Sequence, residues 1–437
     1  MTNKTRPNLI FIVADDLGYA DLGCYGGRAP VSPVLDRLAA EGIKFTQGYS
    51  NSPVCSPTRF AMITGRYQYR LRGAAEEPIN SKSRGSSTLG LPVDHPTLPS
   101  LLKDSGYRTA LIGKWHLGYP PHFGPLRSGY EEFFGPMSGG VDYFTHCAST
   151  GAHDLWEGEQ EKVEPGYLTD LLSQRSVGYV DRMAKQDAPF FLSLHYTAPH
   201  WPWETRDDEA LAQEVKDNLF HLHGGNIHSY RRMIHHMDEG IGRIVEALKR
   251  NGQADNTLIV FTSDNGGERF SDNWPLVGGK MDLTEGGIRV PWIAHWPARI
   301  APGGVSEQQC MTMDWSATFL AAAGVAAAPD YPLDGISLLP VLDDAAHRFE
   351  RPLYFRMNHR GQRALRLGEW KYLRVDGNDY LFNIPADERE RANRAPREPQ
   401  RLDAMRSAWQ AWNATMPPIP QDATVSLGYG AKDMPQR

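Results

Sequence analysis

Cysteine is scarce in this 437-residue chain. Cys24, Cys55, Cys147 and Cys310 are its only four, and no two stand in CxxC spacing. That argues against a disulfide framework and a structural zinc site, and leaves Cys24, Cys147 and Cys310 as expected free thiols. A long apolar run is missing too. The N-terminal N-L-I-F-I-V-A meets two aspartates at once, so it is short for a leader core, has no cleavage site and reads as a first strand. The expected address is cytoplasmic, or periplasmic or secreted if a leader has been removed. Positive charge is not in excess: 46 Lys and Arg stand against 52 Asp and Glu, a formal charge of −6. The one basic-rich stretch, residues 389–401, is of mixed sign and reads as solvated surface. Neither nucleic acid nor a membrane is an expected partner.

What is present is an ordinary globular composition, 41% hydrophobic and 22% charged, long enough for one large domain with a smaller one. Short runs rich in Val, Ile, Leu and Phe occur at residues 8–14, 107–112, 189–196 and 257–262. Such runs mark strands buried on both faces. Amphipathic stretches at 32–41, 98–105, 167–185 and 227–250 alternate with them, the first with a serine N-cap, a proline and a closing glycine. The alternation predicts an α/β fold: a large domain with a mostly parallel mixed sheet flanked by helices, over residues 1–350. From residue 351 the pattern changes to short strands at 352–357, 363–366, 371–375 and 380–383, then a helix at 400–413. This predicts a smaller C-terminal antiparallel sheet with a helix, over 351–437, ending in an extended Pro- and Gly-rich tail. No internal repeat is present.

Each of the four strand runs ends in a polar cluster: Asp15-Asp16, Gly113-Lys114-Trp115-His116, Ala198-Pro199-His200 and Ser263-Asp264-Asn265. Open parallel sheets bind ligands beyond their carboxyl edge, where all four clusters are expected. Asp15, Asp16, Asp264 and Asn265 offer hard oxygen donors, which suit Ca²⁺ or Mg²⁺ better than zinc. Taken singly, either Asp cluster could equally cap a helix or form a turn. Lys114 and His116 point to one side of an extended chain, though Lys-x-His alone is also an ordinary surface pattern. His200 could be a packed loop histidine, and Lys280 in Gly278-Gly279-Lys280 is weak by itself. Together with Arg59 they surround a divalent metal with cations and imidazoles, which suits a tetrahedral oxyanion, sulfate or phosphate.

Ser56 and Pro57 predict an N-cap and first helical residue, with the helix running to Thr64 and stopped by Gly65. Cys55 is then placed at the positive helix end with Arg59 one turn on, where a thiolate would be nucleophilic. A thiolate attacking a sulfate ester leaves an adduct with no easy exit, so the spacing C-x-P-x-R calls for another reading.

C-S-P-T-R-F-A-M-I-T-G, from Cys55 to Gly65, resembles the C-x-P-x-R-x-x-x-L-T-G signature of the formylglycine-dependent (type I) sulfatases of the alkaline phosphatase superfamily. Ile63 replaces the usual leucine. A-D-D-L-G-Y-A-D-L-G, G-K-W-H-L-G, the A-P-H loop, T-S-D-N-G-G and G-G-K follow in family order. The resemblance implies that Cys55 is oxidised to formylglycine by a separate maturation enzyme. One hydroxyl of its hydrate attacks sulfur, and the other is the exit that a thiol lacks. It implies Ca²⁺, ahead of Mg²⁺ or Mn²⁺, on Asp15, Asp16, Asp264, Asn265 and an oxygen at position 55. Arg59 and Lys114 would bind the diol, His116 would take the proton that triggers release, and His200 and Lys280 would hold sulfate and assist the leaving group. The implied activity is hydrolysis of an aryl or carbohydrate sulfate ester.

Two rivals differ in kind. A phosphodiesterase or phosphonate monoester hydrolase of the same superfamily typically has histidine where Asn265 stands. A non-catalytic binder of sulfated glycans would not need a nucleophile, base and acid together. For substrate contacts the aromatic and histidine-rich stretch 139–156 and Trp201 are candidates: Asp142, His146 and His153 toward hydroxyls, Trp201 as a stacking ring or loop anchor. Arg356, His359 and Arg360 could read a distal anion or form a solvated hairpin. The tail could embrace a neighbour in a homo-oligomer.

Overall fold

The computed structural model describes residues 6–215, 219 and 224–426. Among these, ten strands form one sheet, whose central five, Thr257–Ser263, Asn8–Ala14, Phe190–His195, Arg108–Gly113 and Glu132–Gly135, run parallel. The four expected strands are present within one or two residues of their predicted ends. Unforeseen was Trp292–His295, which pairs antiparallel with Thr257–Ser263 and makes the sheet mixed.

The continuous apolar runs are explained by cover on both faces. Ile10, Ile12 and Ala14 face one core with the helices Pro33–Ala40, Leu168–Met183 and Ile227–Arg250. Leu9, Phe11 and Val13 face another with Cys55–Thr64, Leu98–Asp104 and Met313–Ala323. Each such side chain contributes about 1.5–3 kcal/mol by burial. One strand of them rivals a domain's net stability of about 5–15 kcal/mol, so the strand ends are firmly placed. Helix ends are tied across the fold. Asp238 on Ile227–Arg250 accepts from the backbone N–H groups of Val34 and Leu35, both at 2.9 Å. That carboxylate does the capping expected of Ser32, whose hydroxyl bonds Asp36 instead.

A second sheet of four antiparallel strands spans residues 353–383, as the sequence pattern led one to expect. Leu365, Tyr372 and Leu381 pack under the helix Pro399–Asn413, while Phe355, Ala364 and Leu373 pack on the larger body. Lys371, fully buried, joins the two: its ammonium is 3.1 Å from Glu285 and 2.8 Å from Glu390. The tail is not merely extended on the surface. Thr424 and Ser426 pair with Glu77 along the backbone, while residues 427–437 lie outside the described ones. No described helix is long and apolar enough to cross a membrane.

Candidate active site

The parallel strand ends bring the predicted residues together. Asp15 and Asp16 follow Asn8–Ala14, Lys114 follows Arg108–Gly113, and Asp264 and Asn265 follow Thr257–Ser263 with little or no gap. Cys55 begins its helix rather than preceding it: the N-cap is Val54, and Ser56 instead accepts from Ile79 N at 2.9 Å. Pro57 falls within the first turn, where an absent N–H costs nothing.

Three carboxylates meet three cations here. Lys114 Nζ lies 2.5 Å from Asp15 Oδ2, Lys280 Nζ 2.7 Å from Asp16 Oδ2, and Arg59 Nη2 2.8 Å from Asp264 Oδ2. Burial, then repulsion from Asp264, pushes the Asp15 carboxyl up to about 8 despite Lys114. Asp16 differs: burial raises it, but Lys280 and His200 prevail and hold it down at about 2.

Ligand atoms of Asp15, Asp16, Cys55 and Asp264 all lie within 4.8 Å of one another. Asp15 Oδ1 and Asn265 Oδ1 are buried without a hydrogen-bond partner. Asn265 turns its amide nitrogen to Asp16 at 2.7 Å, which leaves that oxygen aimed elsewhere. Unmet buried acceptors are costly, and a cation is what they lack. The residues present therefore fit a hard divalent ion.

The Cys55 thiol is not a poised thiolate. Burial drives its pKa well up, with Lys114 and Lys280 opposing only in part. The helix-end argument loses to desolvation here.

His116 Nε2 is 2.7 Å from the Ile79 carbonyl, which can only accept, so Nε2 carries the proton. Its Nδ1 is then a buried lone pair without a partner. Burial, then Lys114, holds the ring well below its ordinary pKa. His116 also takes a left-handed φ of 60°, a conformation costly for a side chain with a Cβ. His200 donates Nδ1–H to Trp201 O at 2.6 Å and turns Nε2 toward Asp16, 3.6 Å away. Gly139 is needed beside them, since a Cβ there would come within 2.4 Å of the His116 ring.

A cavity of about 690 Å³ opens above Cys55, His116, His200 and Lys280, with Trp201, His359 and Arg360 at its wall. Asp142, His146 and His153 are placed elsewhere. Asp142 accepts from Phe144 N and Thr145 N, while His146 and His153 bond the carbonyls of Gly166 and Lys162. They brace their own loop. Arg356 faces a smaller cavity of about 260 Å³ under the tail.

Sequence reasoning passed over His195, the last residue of its strand. Its Nδ1 lies 3.3 Å from Arg59 Nη1 and 3.2 Å from the Lys114 carbonyl, so it packs against both residues. A polar residue closing a buried apolar run was the available signal. It also passed over Lys82 and Arg84 on the cavity wall, where the signal was two cations in S-K-S-R-G-S-S.

A family model described as Sulfatase matches residues 7–325. The chain belongs to the sulfatase family. It is thereby a sulfuric ester hydrolase. N-acetylgalactosamine-6-sulfatase of Rattus norvegicus is 33% identical over 389 residues, covering 84% of this chain and 71% of that protein. Arylsulfatase A of Homo sapiens is 32% identical over 394 residues, covering 84% and 74%. The crystal structure of Ps i-CgsB in complex with k-i-k-neocarrahexaose superposes with a TM-score of 0.84 at 34% identity, covering 93% of this chain and 92% of that one. Phosphonate Monoester Hydrolase of Agrobacterium radiobacter, at 22% identity and a TM-score of 0.65, shares the fold.

Proposed function

We propose that this sulfatase releases inorganic sulfate from its ester with formylglycine made from Cys55 and with Ca²⁺ held by Asp15, Asp16, Asp264 and Asn265. The observation that carries this is the buried cluster of three carboxylates and Cys55 with two unmet acceptor oxygens beside it. A thiol is a poor donor to a hard cation, and an oxygen at position 55 makes the donor set uniform. Formylglycine supplies there a hydrated aldehyde, a nucleophile with a second hydroxyl through which sulfate can leave. The cation supplies Lewis-acid polarisation of the ester oxygens.

This chain's own residues do the rest. Lys114 and Arg59, themselves buried and locked by Asp15 and Asp264, keep positive charge against position 55. His116 is neutral with Nδ1 open, so it can receive a proton while Nε2–H anchors the ring to Ile79. Lys280 and His200 stand at the cavity floor, where they can hold anionic oxygens and shelter the departing alkoxide.

The test is the mass of the tryptic peptide spanning residues 45–59, together with 4-nitrophenyl sulfate turnover with Ca²⁺ and with chelator. An aldehyde mass and Ca²⁺-dependent turnover are expected. Turnover by protein carrying only the cysteine thiol, or undiminished by chelator, would overturn the reading.

A further inference from the structure

The mouth of the cavity is electrically lopsided. On one wall Arg360 is already spoken for: its Nε and Nη2 reach Asp376 at 2.9 and 2.6 Å, and Asp282 lies 3.8 Å from Nη1. Lys82, which also lines the cavity, is exposed, and its ammonium has no acceptor among the described residues. The Arg84 guanidinium stands over Tyr119, 4.9 Å from the ring centre, and 3.8 Å from Asp154. Asp154 accepts hydrogen bonds from Ser138 N and Trp156 Nε1 and only faces Arg84 at ion-pair distance, so the guanidinium N–H groups make no hydrogen bond among the described residues.

These two cations are built onto the catalytic residues. Ile79, three residues before Lys82, donates its N–H to Ser56 Oγ, beside Cys55, and offers its carbonyl to His116. Asn80 then accepts from Lys82 N and donates to Ser426 Oγ, so the turn is braced from both sides. The spacing between the ester-cleaving floor and the cationic wall is thus set before any ligand arrives, which lowers the cost of binding. The hydroxyls of Ser81 and Ser149 line the cavity, and Trp201 offers a ring on which a sugar can stack. At about 690 Å³ the space suits a ligand of disaccharide size. A small aryl sulfate uses the floor alone.

We infer that the substrate is a sulfated saccharide bearing a second anionic group near the scissile ester, and that Lys82 and Arg84 receive that group. The inference rests on the floor being the sulfate site proposed above. A sulfate or a uronate has the required chemistry, and probes separate them.

The experiment titrates Cys55→Ala protein calorimetrically with three sulfated disaccharides: one with a second sulfate, one with a uronate, one with no other charge. The same titrations follow in Cys55→Ala/Lys82→Ala/Arg84→Ala. Doubly anionic probes are expected to bind roughly tenfold tighter, an advantage of one or two charge-assisted hydrogen bonds, and to lose it in the triple variant. A Lys82→Arg/Arg84→Lys exchange keeps most of it. Preference for the disulfated probe alone assigns a sulfate; preference for both assigns either anion. Equal affinity for all three, including none, or an advantage that survives loss of both cations, overturns the inference. Absence of 4-nitrophenyl sulfate turnover in mature wild-type protein would count against the catalytic reading and leave the binding comparison intact.

Discussion

Arg59 sends Nε and Nη2 to a single oxygen of Asp264, at 3.0 and 2.8 Å, with both side chains sealed from solvent. The other Asp264 oxygen accepts from the Asp16 N–H at 3.4 Å. Removing the carboxylate strands a guanidinium in the core, which costs about 3–5 kcal/mol for a buried pair. Asp264→Ala is therefore expected to unfold at markedly lower urea than wild type, besides losing turnover. A midpoint within error of wild type would mean that the pair has no structural part.

His116→Ala removes a cavity-lining imidazole whose Nδ1 is buried and unpartnered. Mature protein with this change is expected to give at most one burst of 4-nitrophenol per active site and then stall. Steady turnover at the wild-type rate would remove His116 from the proton transfer.

Calcium is expected to raise the melting temperature, because the proposed donor set comes together only in the folded chain. At a hundredfold excess over Kd the gain is about 2.7 kcal/mol. Scanning calorimetry with Ca²⁺, with Mg²⁺ and with chelator reads this directly, and Asn265→Ala should blunt the Ca²⁺ shift. No shift with any divalent ion would count against the metal site.

A pH effect is expected at Glu204. Burial first, then the facing Asp142, raises its carboxyl to about 9. An unmet oxygen on each, Glu204 Oε1 and Asp142 Oδ2, fits a shared proton. The folded form thus holds a proton that the unfolded chain releases near 4.5. Its contribution is whole below that pH and fades as pH climbs toward 9, at up to about 1.4 kcal/mol per unit. Glu204→Gln, which keeps a donor toward Asp142, is expected to flatten the fall in unfolding free energy between pH 5 and 9. An unchanged slope would rule Glu204 out as its source.

The site was legible where chemistry sits at strand ends. Asp15, Asp16, Lys114, His200 and Asp264 each follow an apolar run that could only be a buried strand, and C-x-P-x-R marked Cys55 and Arg59. What stayed hidden depends on contacts between distant segments. Nothing local says that the Ile79 carbonyl chooses the His116 tautomer, or that His195 sits against Arg59. Ser56 was misread because capping chemistry suits several neighbours, and only the Ile79 amide shows where its hydroxyl goes. His146 and His153 looked like ligand contacts because side-chain type cannot reveal that carbonyls of Gly166 and Lys162 already hold them.

Glu77 ties three remote stretches at the cavity edge: its carboxylate accepts from Asn358 N and His359 N, and its backbone pairs with Thr424 and Ser426. The floor, by contrast, hangs from the central strands. Over evolutionary time the two can drift at different speeds. Insertions or exchanges in the turns near residues 80, 149 and 359 would redirect which ester is admitted, while the inherited chemistry beneath is passed on untouched.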